Sequence, residues 1–461
     1  MSDQRNSRLS RRAFLAGVGA TAFGAALAAC ASPGAPSAAP ATSGGEAAPA
    51  GSAEKVTIHA HMVQKQDVSD WIQAGLDQDI DGFVTKNPNI EVVLETVPGW
   101  TAEYIPKILS LTAAGTLGDL VWYPPRHRSH IAWGTQYGIV TDLRPLAESA
   151  GYDIDANFFP GAVEVNTYEG KTYWMSYISE PIVPVIAYNK TKIAEMGLPE
   201  LTDEMTFAEL ADWAAQAKTD DVYGYYRADR GGSFAGGPYL RQWGVEPTDE
   251  TGTKATFLDT REQFVQALQY DYDLVRNELS PSPAAGAVNA PELFGAQKVL
   301  AVDIWPFRIQ IYPATFTDFE IGFALTPKVN TADERRSMLN EHVFGITTSS
   351  KATDAAFTFL TWICGKEMNV QALVQGQKGP IARADVWADE RVYEAVPTYE
   401  KLRPIMENIE PDYVVANFRG EEFDQAYQAV LDAMELGDKQ PEQAADEMQS
   451  ACQAVLDKEP A

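Results

Sequence analysis

A regular succession of strand and helix patterns near the start of the folded region restricts the fold more than any other feature. Apolar residues alternate from Lys55 to Met62, recur at helical spacing from Trp71 to Lys86, and alternate again from Ile90 to Leu94. A second helical pattern, Tyr104–Gly115, precedes a short apolar strand, Asp119–Tyr123. Strands that alternate with helices through short links predict a parallel, doubly wound sheet.

The alternation continues over the rest of the chain. The sequences Thr206–Glu209 and Thr260–Gln263 have the capping-box pattern that opens helices. Val299–Ile304 and Phe319–Leu325 have the apolar character of buried strands. Three later segments have amphipathic helical patterns: Thr353–Cys364, Phe423–Met434 and Pro441–Leu456. Because no linker interrupts this region, we expect an α/β protein with two lobes woven from one continuous stretch.

The first thirty residues have the pattern of an export signal. Arg11 and Arg12 form a twin-arginine motif, and the uncharged stretch Ala13–Ala29 is short and weakly apolar for a spanning helix. The sequence Leu27-Ala28-Ala29-Cys30 resembles the lipobox of bacterial lipoproteins, in which the cysteine thiol receives the lipid. We therefore predict a signal peptide over 1–29 and lipidation of Cys30. The alternative is an uncleaved membrane anchor with Cys30 as a bystander.

The segment that follows the signal predicts a tether. Apart from Cys30, residues 30–53 are only Ala, Ser, Pro, Gly, Thr and one Glu. This composition predicts a flexible stalk with a reach of about 25 Å. The folded body is therefore expected to be exported and anchored to the outer face of the cytoplasmic membrane, in the periplasm or at the cell surface.

Charge and cysteine content exclude two classes of protein. The chain has a formal net charge of −28, and such a surface repels phosphate backbones, so nucleic acid is not an expected partner. Three cysteines give no disulfide framework. Cys364 and Cys452 lie on apolar helix faces, and we predict that both are free, buried thiols.

Nine short motifs follow one another in a fixed order along the chain. They are Val56-Thr-Ile-His-Ala-His61, Phe83-x4-Pro88-x-Ile90-x-Val92, Tyr104-x2-Lys107, Ala114-Gly115-x3-Asp119, Gly138-Ile-Val-x-Asp142-Leu143, Glu169-Gly-Lys-x-Tyr173, Tyr188-Asn-Lys190, Ser349-Ser-Lys351 and Gly379-Pro-Ile-Ala-Arg383. In this order they resemble the sugar-binding family of extracellular solute-binding proteins of ABC importers, of the maltose-binding type. The resemblance spans practically all of the chain after residue 54.

The resemblance implies a type II, two-lobed periplasmic-binding-protein-like fold. The expected lobes are residues 54–178 with 346–400, and residues 179–342 with 401–461. The expected hinge crossings are Ile178–Pro184, Glu341–Thr347 and Tyr399–Pro404. The resemblance also implies a monomer that closes on a solute and delivers it to the permease subunits of an importer, without a cofactor or nucleotide site of its own.

Candidate ligand-binding residues follow from strand ends, because ligands of open α/β sheets bind beyond the carboxyl ends of the strands. Trp122 and Trp305 are the expected platforms for the C–H face of a sugar, with charged groups binding its hydroxyls. The competing interpretation is that the tryptophans pack in the core and the charged residues form ion pairs. The full set is His61, Gln64, Trp100, Trp122, Tyr123, Arg126, Glu180, Asp303, Trp305, Phe307 and Arg308.

No catalytic or metal-binding motif is complete. Gly231–Ala235 lacks the last glycine of a nucleophile elbow. Asp77–Gly82 copies half of a calcium loop, but Pro88 stands where the chelating Glu belongs. His59 and His61 share one side of a strand without further zinc ligands nearby. We therefore expect a binding protein without a metal, and not an enzyme.

The sequence favours capture of a mono- or oligosaccharide and leaves three alternatives. A polyamine or a peptide is the nearest, and Glu180 and Asp303 would suit a polyamine. An exported carbohydrate-active enzyme would need only two well-placed carboxylates. A scaffold lipoprotein that binds another protein is the third.

Overall fold

The computed structural model of the protein describes residues 55–64, 70–98, 101–124, 128–182, 185–227, 236–282, 289–331, 333–376 and 379–460. The predicted signal peptide, Cys30 and the predicted stalk lie outside the described residues. None of the described helices is both long and apolar enough to cross a bilayer.

Five strands form the sheet of the first lobe, in the order β2-β1-β3-β11-β6. Strands β1, β2 and β3 pair in parallel, as the sequence predicts, while β11 runs antiparallel to both of its neighbours. The bounds are β1 Val56–Gln64, β2 Ile90–Pro98, β3 Leu120–Tyr123, β6 Met175–Pro181 and β11 Leu339–Ile346.

Helices and a small hairpin complete the first lobe. The hairpin strands are β4 Thr167–Tyr168 and β5 Lys171–Thr172. The earlier helices are α1 Asp70–Lys86, α2 Thr101–Ala114, α3 Ile131–Thr135, α4 Arg144–Ala150, α5 Ile154–Asn157 and α6 Pro160–Val165. The later helices are α13 Thr353–Ile363, α14 Lys366–Val374, α15 Ala384–Trp387, α16 Glu390–Ala395 and α17 Tyr399–Glu407.

Four strands form the sheet of the second lobe, in the order β10-β7-β9-β8. Every residue of β7 and β9 is buried, because these central strands are covered on both faces. The strand β9 has the predicted bounds Val299–Ile304. The other strands are β7 Val185–Asn189, β8 Tyr223–Tyr226 and β10 Ile321–Leu325.

The helices of the second lobe include two from the end of the chain. Pro441–Leu456 is a helix with the predicted bounds. The set is α7 Lys190–Glu195, α8 Phe207–Ala217, α9 Gly237–Gln242, a 3₁₀ turn Phe257–Thr260, α10 Arg261–Arg276, α11 Ala290–Gly295, α12 Arg308–Thr315, α18 Gly420–Leu436 and α19 Pro441–Leu456.

One of the two predicted capping boxes is present. The Thr206 hydroxyl accepts the N–H of Glu209, and the Glu209 carboxylate accepts the N–H of Thr206, so both donors at the start of α8 are satisfied. The prediction of a capping box at Thr260 is wrong. The 3₁₀ turn runs directly into α10, and the buried Thr260 hydroxyl has no hydrogen-bond partner among the described residues.

The chain passes between the two lobes three times. The first passage follows Pro181, the second lies between Leu325 and Leu339, and the third follows α17. The N–H of Ile182 donates to the main-chain carbonyl of Met338 (2.8 Å), and the N–H of Leu339 donates to that of Glu410 (3.1 Å). The three passages therefore lie side by side.

The strand bounds shift two of the expected hinges. Residues 178–181 are still paired in the first sheet, so the first passage begins at Ile182. Glu341–Ile346 lies inside β11, so the second passage precedes Leu339. The third expected hinge, Tyr399–Pro404, lies within α17, and the passage follows that helix.

Candidate functional site

The strand directions bring together the carboxyl-end edges of the two sheets, where the parallel strands of each sheet end. Strand β6 runs parallel to β1 and β3, because β11 is antiparallel to both β3 and β6. Strand β7 is antiparallel to β9, which is parallel to β8, so β7 starts where β8 and β9 end. Since β6 ends at Pro181 and β7 starts at Val185, the carboxyl-end edges of the two sheets meet at this passage. Ligands of such folds bind at this kind of edge.

The residue pair Trp122–Tyr123 ends β3, with the two side chains on opposite faces of the sheet. Trp122 is fully buried, with its ring 5.4 Å from Tyr104 and stacked 5.5 Å from His342. Tyr123 is 6% exposed, and its ring packs edge-on against Trp133 at 4.5 Å. The placement of Trp122 in the core does not support its predicted role as a sugar platform, since a platform needs exposed surface.

His61 turns away from the carboxyl-end edge. Its Nε2 accepts the N–H of Gly118 (3.0 Å), in the turn before β3, and Nδ1 lies 3.6 Å from a Glu95 oxygen. Burial lowers the pKa of His61. Of the other candidates in this lobe, Gln64 ends β1 at the edge, and Trp100 and Arg126 lie outside the described residues.

The second lobe contributes a tight turn to the meeting edges. Residues Trp305–Arg308 form a β-turn directly after β9, closed by a hydrogen bond from the N–H of Arg308 to Trp305 (2.9 Å). Trp305, Phe307 and Arg308 are all partly exposed. The guanidinium of Arg308 lies 5.4 Å from the Phe307 ring. The turn therefore offers aromatic surface and a positive charge together.

Asp303 and Glu180 are buried acids next to this turn. Asp303, near the end of β9, accepts the Tyr225 hydroxyl (2.6 Å). Glu180, near the end of β6, accepts the N–H of Phe307 (2.9 Å), which is a direct contact between the two lobes. Burial raises the pKa of Glu180 to about 8.

Sequence reasoning missed a third buried acid, which lies near the carboxyl-end edge of the first sheet. Glu341 accepts hydrogen bonds from the Ser176 and Ser179 hydroxyls and from the Asn166 amide (2.8 Å). Burial raises its pKa to about 7. Its signal in the sequence is a lone carboxylate in the mainly apolar strand Leu339–Ile346.

The described residues contain no group of three or more His, Cys, Asp or Glu side chains arranged to hold a metal ion. The half calcium loop Asp77–Gly82 lies within α1, where Asp79 is fully buried. Cys364 and Cys452 are buried, as predicted, and the two thiols are not joined in a disulfide.

A family model described as bacterial extracellular solute-binding protein matches residues 78–400. The chain belongs to this family. Membership in this family agrees with the predicted export from the cytoplasm and with a solute-binding role. A comparison with proteins of curated function finds no matching sequence.

Solved structures confirm the two-lobed fold of this solute-binding protein. An ABC substrate-binding protein from Listeria monocytogenes, in complex with cycloalternan, has a TM-score of 0.72 and 18% identity over 87% of this chain and 99% of that one. The GacH receptor of Streptomyces glaucescens, solved unliganded and with acarbose, has a TM-score of 0.71 and 21% identity over 88% and 99%. Maltose-bound MalE3 of T. maritima has a TM-score of 0.70 and 19% identity over 87% and 100%.

Proposed function

We propose that this solute-binding protein is lipid-anchored through Cys30, captures a mono- or oligosaccharide where the two sheet edges meet, and delivers it to the permease of an ABC importer. The observation that carries the proposal is the Trp305–Arg308 turn, which presents partly exposed aromatic rings and a guanidinium at the carboxyl end of β9. Aromatic faces suit the C–H groups of a sugar, and fixed polar groups suit its hydroxyls.

Further support comes from three sources. The solved relatives named above bind cycloalternan, acarbose or maltose. Tyr123 lies at the end of β3, on the facing edge, with a small exposed part. The twin-arginine and lipobox motifs supply the export and anchoring steps of the proposal. On this basis the site comprises Tyr123, Asp303 and the Trp305–Arg308 turn, with Glu180 beside it.

Mass spectrometry of the solute that co-purifies with the folded protein tests the proposal most directly. A carbohydrate mass supports it, and a polyamine or peptide mass replaces it with transport of that solute. Turnover of a chromogenic glycoside, abolished by replacing one carboxylate, would instead support the enzymatic alternative.

Trp305→Ala is expected to weaken binding of the tightest sugar in a panel about 30-fold, because a central aromatic contact contributes roughly 2 kcal/mol. Isothermal titration calorimetry of both proteins measures the change. The control is Trp362→Phe, at another partly exposed tryptophan, whose indole N–H donates to the main-chain carbonyl of Asp79 (2.8 Å) in helix α1. Equal affinities for Trp305→Ala and the parent would remove the turn from the site.

A further inference from the structure

Glu180 joins the two lobes at the point where the chain first passes between them. It is the last residue but one of β6, in the first sheet, and it is 3% exposed. Its Oε2 accepts the N–H of Phe307 from the second lobe at 2.9 Å. The turn's own closing hydrogen bond uses the N–H of Arg308, so the N–H of Phe307 is available for this contact.

Among the described residues, no ion pair neutralises the charge of Glu180. Asn340 lies opposite it on β11, and the amide of Asn340 and the N–H of Phe307 both favour the ionised form. Of the described titratable or charged groups, two more face it: the Arg308 guanidinium from the start of α12, and the Tyr399 hydroxyl from the start of α17. Arg308 acts on this carboxylate through its charge alone, without a hydrogen bond to it.

Desolvation therefore dominates the protonation of this carboxyl group. Burial raises the pKa of Glu180 to about 8, against an ordinary value near 4.5. A protonated carboxyl still accepts the N–H of Phe307 through its carbonyl oxygen, so neutral Glu180 keeps the contact between the lobes without burying a charge.

We infer that Glu180 is a positioning residue, which fixes the Trp305–Arg308 turn against the first lobe and makes the placement of that turn dependent on proton binding. The carboxyl group acts through the main chain of Phe307 and not by touching the solute. This inference assigns a role to one residue beside the proposed sugar site. It rests on the proposed function only in the experiment that measures sugar affinity.

The direction of the pH effect follows from linkage. When the turn separates from β6, Glu180 gains water and its pKa falls toward the ordinary value, so separation releases a proton between about pH 4.5 and pH 8. The contact is therefore fully stable below this window and is lost progressively as the pH rises through it. For one titrating group, the equilibrium constant for this separation changes by at most tenfold per pH unit.

Hydrogen exchange of the segment around Phe307, in the protein without added solute, tests the inference independently of the transport function. Between pH 6 and pH 8.5, we expect the protection factor of this amide to fall at least tenfold in the parent. In Glu180→Gln the side-chain carbonyl still accepts the N–H but cannot titrate, so protection should persist with a flat profile. In Glu180→Ala protection should be lost at every pH.

Glu341→Gln is the matched control, because it removes a second buried carboxyl whose hydrogen-bond donors all belong to the first lobe. In Glu341→Gln, the protection factor of the Phe307 amide should fall with pH as steeply as it does in the parent. A slope in Glu180→Gln equal to that of the parent, or full protection in Glu180→Ala, would overturn the inference.

Maltotriose affinity across the same pH range provides the second readout. If maltotriose binds, its dissociation constant should rise with pH in the parent and stay level in Glu180→Gln. Absence of maltotriose binding together with the expected exchange profile would count against this sugar as the solute and leave the role of Glu180 supported. Binding with the same pH slope in both proteins would overturn the inference and leave the proposed function intact.

Discussion

Trp122→Ala is expected to lower the free energy of unfolding by about 3–5 kcal/mol, because it removes a fully buried indole from the packed interior. The ring contacts Tyr104 edge-on and stacks on His342, and the Tyr104 hydroxyl donates to the Trp122 carbonyl at 2.8 Å. Urea unfolding followed by circular dichroism measures the loss.

The contrast with Trp305→Ala decides between packing and binding. Trp305 is partly exposed, so its removal should cost less than half as much stability while it weakens sugar binding. If Trp122→Ala unfolds at the same urea concentration as the parent and binds sugar less tightly, Trp122 is a platform residue after all. The two variants therefore distinguish a core residue, Trp122, from a candidate sugar contact, Trp305.

The order of elements could be predicted because each of them is encoded locally. The strand Ile90–Pro98 and the helix Asp70–Lys86 have apolar residues at periods that only one type of element can bury on one face. The Thr206 capping box is confirmed for the same reason, since its hydrogen bonds join residues three apart. The Thr260 box has the same pattern, and it fails because the preceding residues form a 3₁₀ turn.

The candidate site was harder to predict, because its geometry depends on which face a side chain occupies. A strand places Trp122 and Tyr123 on opposite faces, and an all-apolar strand such as Leu120–Tyr123 gives no indication of which face is covered. The second hinge assignment, Glu341–Thr347, was wrong for a similar reason. Strand β11 is continuous through Glu341–Ile346, and only its pairing with β3 and β6 shows that it belongs wholly to the first sheet.

Contacts between distant residues were beyond the reach of the sequence. Glu180 could be selected as an acid in an apolar run, but its partner Phe307 lies 127 residues away. The pairing of Arg227 with Asp271 joins the end of β8 to the middle of α10, and neither residue stood out before the structure.

Asp271→Ala is expected to lower the free energy of unfolding by about 3–5 kcal/mol, because it leaves the Arg227 guanidinium buried without its carboxylate. The two side chains are 2% and 1% exposed, and the guanidinium meets both carboxylate oxygens, with Nε 2.6 Å from Oδ1. The positive charge also lies 3.9 Å from the Tyr239 ring. Urea denaturation of the variant and the parent measures the difference.

An exposed ion pair on the same helix provides the control. Arg261, at the start of α10, pairs with Asp446 at 3.2 Å, with side chains 46% and 59% exposed, so Asp446→Ala should cost less than 1 kcal/mol. The double variant Arg227→Met with Asp271→Leu should recover most of the loss of Asp271→Ala, because it leaves no buried charge. Equal losses for Asp271→Ala and Asp446→Ala would show that water reaches Arg227 at the end of β8.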